Sequence, residues 1–111
     1  MALTSTVLTA TAASIFTSSG NSVVTAMYLC NTSEIVAQFC IYAVPSGGSA
    51  DLTNAIYYQV PLTPYDTYVI DSEKLMLEDG DTLYANVFSI TGTISSELMP
   101  SVAVTVSSIG I

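Results

Sequence analysis

Apolar residues alternate with polar or amphipathic residues along most of this 111-residue chain. A period of two puts successive side chains on opposite faces of an extended strand, so the pattern predicts β-strands. No stretch with helical periodicity reaches about ten residues, and only residues 72–77 have the composition of a helical turn. The alternation therefore argues against an α/β fold and predicts an all-β domain.

Turn residues divide this pattern into eight candidate strands of similar length. The strands are predicted at residues 5–10, 14–18, 22–30, 35–44, 55–60, 67–70, 82–90 and 101–107. Short strands at a spacing of about ten residues are typical of an antiparallel β-sandwich or a jelly-roll-like fold. In the strand 35–44, the alternation predicts that Phe39 points into the core. We expect one such domain, spanning residues 1–111.

The charge balance excludes several classes of partner. The chain has nine acidic residues and one base, Lys74, with no Arg and no His, which gives a net charge of −8. Nucleic-acid binding depends on Lys and Arg, and an anionic membrane attracts basic segments, so we expect neither partner. No apolar run approaches a membrane span or a signal peptide. The negative charge would attract a partner with a basic face, or it serves only solubility.

The same composition removes the usual catalytic groups. Without His, neither a Ser-His-Asp triad nor the commonest zinc ligand is available. The sequences Asp66-Thr67-Tyr68 and Asp71-Ser72-Glu73 lack the glycine of an aspartic-protease turn. We therefore expect no enzyme, with no catalytic residue and no cofactor.

An acidic segment is the densest group of polar ligands in the sequence. Its five members are Asp71, Glu73, Glu78, Asp79 and Asp81. Calcium prefers such oxygens, but the spacing does not match an EF-hand loop, so we predict no metal site. Asp79-Gly80-Asp81 instead predicts a tight turn in which Gly80 has a positive φ and an Asp accepts from nearby backbone. The alternative is that the segment forms an acidic contact loop for a partner.

Tyrosine is the main aromatic residue, and Trp is absent. Tyrosine is enriched at protein interfaces because it joins a large contact area to a polar tip. We predict interface positions at Tyr42, Tyr57, Tyr58, Tyr65, Tyr68 and Tyr84. The alternative is that most of them lie at sheet edges with their hydroxyls in water.

Two cysteines, Cys30 and Cys40, flank the turn at residues 31–34. Two cysteines in a chain of this length are not a disulfide scaffold, so we predict that both are reduced. Asn31-Thr32-Ser33 matches a glycosylation sequon, but no signal peptide accompanies it. We interpret it as a turn.

A longer pattern of strands and turns between Leu29 and Asn86 resembles a known group of proteins. It reads LCNTS, FCIYAVPSGGSA, NAIYYQVPL and DTYVIDSEKLMLEDGDTLYAN, and the chain starts with MALT. These motifs are similar to those of small virion-associated proteins of tailed bacteriophages, cyanophages among them. The motifs cover about half of the chain directly, and none of them names a catalytic group.

The resemblance implies a non-enzymatic structural protein of a phage virion, assembled in the host cytoplasm. The first hypothesis is that the protein is a capsid decoration (cement) protein, which stabilises the outer shell as a homotrimer or another symmetric oligomer. The second is a neck, tail, baseplate or fibre-attachment subunit. Its partners would be copies of itself and the major capsid or tail protein. A carbohydrate- or receptor-binding module is the alternative from another class, and a shallow cleft with stacked tyrosines and acids would favour it.

Overall fold

Nine strands form two antiparallel sheets that pack face to face in the computed structural model, which describes residues 2–71, 74–89 and 101–110. The strands are β1 (Ala2–Val7), β2 (Ala13–Thr17), β3 (Ser22–Asn31), β4 (Ala37–Val44), β5 (Ala55–Leu62), β6 (Thr67–Ile70), β7 (Leu75–Leu77), β8 (Thr82–Ser89) and β9 (Val102–Gly110). This confirms the predicted all-β class and the antiparallel sandwich. In the described ranges the one helical element is a 3-10 turn, Leu52–Asn54, and no helix is long and apolar enough to cross a bilayer.

Each sheet has its own strand order. Sheet I runs β1, β9, β3 and β6. β7 pairs with the first part of β3, on the same edge of that strand as β6. Sheet II runs β2, β8, β4 and β5. Several connections pass from one sheet to the other, so neighbouring strands in the sequence are often not neighbours in a sheet.

The core lies between the two sheets and is built from alternate residues of their central strands. Val102, Val104 and Val106 of β9 are fully buried, and Phe39 of β4 faces them from sheet II with no exposed surface. The Phe39 ring meets the ring of Tyr68 edge-on, with centroids 5.4 Å apart. The predicted inward orientation of Phe39 is therefore confirmed.

β1 begins and ends earlier than the predicted strand 5–10. The chain leaves sheet I at Leu8, whose N–H donates to the Val102 carbonyl at 2.9 Å and whose side chain is buried. The carbonyl of the following residue, Thr9, accepts from the Val87 N–H of sheet II at 3.0 Å. Residues 8–10 are therefore a crossing between sheets, which an alternating pattern does not distinguish from a strand.

The one segment with the composition of a helical turn, residues 72–77, is not helical in its last three residues, which form β7; residues 72 and 73 lie outside the described ranges. Leu75, Met76 and Leu77 pair with the first half of β3. Leu77 is buried and Met76 is exposed, which is strand alternation. Pairing with β3 therefore overrides the local helical preference of this segment.

The turn at residues 31–34 is a crossing between sheets and not a hairpin. Its centre is Asn31, whose side chain is fully buried. The Asn31 amide donates to the carbonyls of Ile35 at 2.8 Å and Leu62 at 3.1 Å. Its carbonyl oxygen accepts from the N–H of Ser33 at 3.0 Å and from the Ser33 hydroxyl at 2.6 Å. The sequon is therefore a structural turn, as predicted, and its asparagine is enclosed.

Candidate interaction surface

The outward side of sheet I is a broad surface built from every second residue of its strands. The strand register aligns these residues in rows across the sheet: Val7–Ala103–Cys30–Thr67, Ser5–Thr105–Tyr28–Val69, Leu3–Ser107–Ala26 and Ile109–Val23–Met76. We call this surface the outer face of sheet I. The Ser5 and Thr105 hydroxyls, 3.2 Å apart, bridge two of its strands.

This face collects exposed apolar side chains. Eleven large hydrophobic residues are exposed in the described part of the chain, and six of them lie on this face: Leu3, Val7, Tyr28, Val69, Met76 and Ile109. Leu3 is 69% exposed and Met76 is 72% exposed. Apolar residues scattered singly over a surface need no explanation, whereas a group of them gathered on one face is typical of a contact site.

The same face lacks charge. None of the nine described strands contains an acidic or basic residue. The single base, Lys74, lies beside the face, where its ammonium group donates to the carbonyls of Thr25 at 3.1 Å and Asp71 at 2.7 Å. An uncharged face on a chain with net charge −8 can be covered without desolvating an ion, which is the costly step in forming an interface.

The structure divides the six predicted interface tyrosines among three places. Tyr42 and Tyr84 lie opposite each other on the outward side of sheet II, near the exposed Tyr58. Tyr57 of β5 and Tyr68 of β6 lie on the two strands that approach each other at one side of the sandwich. Tyr65 is 72% exposed in the turn between these strands. They do not form one patch, and none of them belongs to the outer face of sheet I.

Tyr42 is enclosed by its own chain. It forms a second apolar cluster with Cys40 and Val44, covered in part by Tyr84 and Phe88. Burial, and after it the neighbouring Cys40 thiol, raises the pKa of the Tyr42 hydroxyl above its usual value. Its side chain therefore packs against this cluster and offers little surface to a partner.

The acidic segment holds three turns together. Asp79 accepts from the Gly20 N–H at 2.8 Å, and Asp81 accepts from the N–H groups of Ser46 at 3.1 Å and Glu78 at 2.9 Å. Gly80 has a φ of 87° and donates its N–H to the Ser18 carbonyl at 2.9 Å. The predicted turn is therefore confirmed, and two of its carboxylates are engaged with backbone.

The other acids of this segment are placed differently. Asp71 and Glu78 are exposed, and Glu73 lies outside the described residues. Among the residues that the structure describes, no three His, Cys, Asp or Glu side chains are grouped so that they could hold a metal ion. The arrangement of Asp79 and Asp81 has a structural purpose, which is to clamp the turns at one end of the sandwich.

Replacing Gly80 with alanine should lower the free energy of unfolding by about 1–3 kcal/mol. A Cβ at Gly80 would lie 2.6 Å from the Ser46 hydroxyl oxygen, in addition to requiring a positive φ. Gly20→Ala is the matched control, because Gly20 also has a positive φ (71°) but has no neighbour within 4 Å of the added Cβ. Urea unfolding of both variants measures the difference, and equal losses would show that the contact with Ser46 is unimportant.

An apolar cleft of about 310 Å³ opens along the side of the sandwich where β5 approaches β6 and β7. Its walls are Met27, Ile56, Tyr57, Ile70 and Leu75. A sugar-binding cleft would be expected to combine stacked tyrosines with acids. Among the described residues that line this cleft, there is one tyrosine and no acid.

The two cysteines lie in different sheets. Cys30 is half-buried on the outer face of sheet I, whereas Cys40 is fully buried on the outward side of sheet II, where its sulfur accepts from the Gln59 N–H at 3.3 Å. Both are free thiols, as predicted. The separation of β3 and β4 into different sheets is the reason that the two cysteines do not meet.

Comparison with known proteins finds no matching family model, no matching curated protein and no matching solved structure. The candidate site therefore rests on the geometry of the chain itself. Sequence reasoning missed the apolar members of the outer face of sheet I, such as Leu3 and Val69. Its one usable signal was that the predicted strands carry no charge while the turns between them carry acids.

Proposed function

We propose that this protein is a non-enzymatic structural subunit of a tailed-phage virion, and that it docks through the outer face of sheet I. The observation that carries the proposal is the uncharged, apolar-rich character of that face. Permanent contacts are richer in apolar groups than ordinary protein surface and poorer in charges at their centre. The virion assignment is supported by the strand-and-turn motifs between Leu29 and Asn86.

The favoured role is a decoration protein on the outside of the capsid. Acids at the described turns, such as Glu34, Asp51 and Asp66, lie outside the strands and are exposed. A strongly acidic chain is repelled by packaged DNA and attracted to basic patches of a shell protein. Attachment by the uncharged face leaves these acids exposed to solvent, which suits an outer location.

Quantitative mass spectrometry of purified particles tests the proposal. Particles of the phage that encodes this chain should contain it, and a decoration protein should be present in hundreds of copies. A count of about six to eighteen copies would instead place it in a neck, tail or baseplate ring, as closed symmetry requires. Absence from particles would overturn the proposal, and binding to a glycan array would then favour a receptor-binding module.

A further inference from the structure

The four sheet edges of the sandwich differ in how well they are protected against pairing with another strand. Edge strands are normally blocked by bulges, proline, charge or shortness. β5 has a positive φ at Gln59, shifts in register, and Pro61. β2 has five residues with a bulge between Ser14 and Phe16. A third edge is shared by β6, which has four residues flanked by Asp66 and Asp71, and by β7, which has three residues.

β1 has none of these protections. Its six residues pair with β9 in an unbroken register from Ala2 to Val7. It contains no proline and no charged residue, and the first charge in the sequence is Glu34. In the described part of the chain, no strand pairs with the other side of β1. Among the described strands, β1 is therefore a regular, uncharged and open edge.

The hydrogen bonds of β1 show which backbone groups are free. The Leu8 N–H bonds to the Val102 carbonyl, so Leu8 and the alternate residues Thr6 and Thr4 turn their backbone groups towards β9. The N–H and C=O groups of the intervening residues, Leu3, Ser5 and Val7, therefore point away from the sheet. The close contact between the Ser5 and Thr105 hydroxyls agrees, because side chains approach most closely at non-hydrogen-bonded pairs.

We propose that two copies of this chain pair through β1, antiparallel about a two-fold axis at Ser5, and so join their sheets I into one continuous sheet. In this register Ser5 lies opposite Ser5 of the second copy, and Leu3 lies opposite Val7. The free backbone groups of Leu3, Ser5 and Val7 in the two strands then form about six hydrogen bonds. Leu3 and Val7, which are 69% and 60% exposed in the single chain, become apolar cross-strand pairs.

The occupant of this edge is a second copy because the edge is complementary to itself. Its apolar residues are placed symmetrically about Ser5, two positions away on each side. Thr4 and Thr6 are symmetric in the same way and form Thr–Thr pairs on the other side of the sheet. Two chains with net charge −8 repel each other, and β1 itself carries no acid that the pairing would bring into the contact.

The pairing also explains the size of the docking face. Four strands at a spacing of about 4.8 Å and about six residues in length give a footprint of about 400 Å². A stable interface buries about 800 Å² on each partner, so one face is about half of what is needed. Two faces joined edge to edge reach this size. The two-fold contact thus deepens the proposed docking role, and it rests on that proposal. Of the symmetric oligomers expected from the sequence, it favours a dimer over a homotrimer.

Cysteine cross-linking of the purified protein tests the register. Ser5→Cys in a Cys30→Ser background should give a disulfide-linked dimer under mild oxidation at micromolar concentration. The two Cα atoms at position 5 would be about 5.5 Å apart, which is within the range of a disulfide. Leu3→Cys in the same background should not cross-link alone, because its two copies would be about 13 Å apart. Mixed with Val7→Cys, it should form a heterodimer.

Sedimentation provides the second measurement. The unmodified chain should sediment as a dimer and Ser5→Pro as a folded monomer, because the Ser5 N–H points away from β9 and its loss breaks no bond within the chain. Leu3→Lys should also be monomeric, which covers the case in which Ser5→Pro does not fold. Equal cross-linking of Ser5→Cys and Leu3→Cys, or a monomeric unmodified chain, would overturn the pairing. Neither result changes the copy number in particles, so the two proposals fail separately.

Discussion

Replacement of Phe39 by alanine should lower the free energy of unfolding by about 3–5 kcal/mol, the usual cost of removing a buried phenylalanine ring. Phe39 has no exposed surface and lies in β4, an inner strand of sheet II. Its ring contacts Tyr68 across the sandwich at a centroid distance of 5.4 Å. The substitution leaves a cavity between the sheets and removes this aromatic contact.

Urea unfolding followed by circular dichroism measures the loss. Phe88→Ala is the matched control, because Phe88 is half-buried on the outward side of sheet II and packs against the smaller cluster around Tyr42. We expect the control to lose clearly less stability than Phe39→Ala. A loss below about 1 kcal/mol at Phe39 would mean that β4 is shifted by one residue and faces the other way.

Replacement of Asn31 by leucine should cost about 2–4 kcal/mol, although it adds apolar volume to a buried site. The Asn31 amide satisfies the carbonyls of Ile35 and Leu62, and its oxygen satisfies the N–H of Ser33. Each buried group that loses its partner costs about 1–3 kcal/mol. The expected loss of stability is smaller than the sum of these costs, because water can reach the partly buried groups of the crossing and replace the lost hydrogen bonds.

Thr32→Ala provides the comparison for Asn31. Thr32 is exposed, and its hydroxyl donates to the Ser101 carbonyl at 3.0 Å, so its loss should cost below about 1 kcal/mol. The two variants alter adjacent residues of one crossing, and they differ in burial. If Asn31→Leu were as mild as Thr32→Ala, the crossing between the sheets would be held by something other than Asn31.

The fold class was predictable because its signal is local. Alternation needs no knowledge of partners, and the inward orientation of Phe39 follows from the residues on either side of it. The turn at Gly80 was also predictable, since glycine between two aspartates favours a positive φ and side-chain contacts with the backbone.

Long-range pairing accounts for what could not be predicted. β7 forms because β3 leaves an edge free for Leu75–Leu77, and nothing in that segment reveals it. The tyrosines were chosen by residue type, but Tyr42 is enclosed by its own chain, whereas Tyr28, which was not chosen, is exposed on the outer face of sheet I. Which face of a strand stays uncovered depends on the sheet that it joins, and the sequence does not state that.

Binding to particles that lack the protein tests the role of the outer face most directly. Tyr28 lies in the middle of that face and is 42% exposed, so Tyr28→Lys places a charge where a partner would cover it. Leu52→Lys is the matched control, because Leu52 is 71% exposed in the turn before β5, away from sheet I. We predict that Tyr28→Lys weakens binding at least about tenfold and that Leu52→Lys stays within about twofold of the unmodified chain. Equal binding by all three proteins would contradict docking through this face.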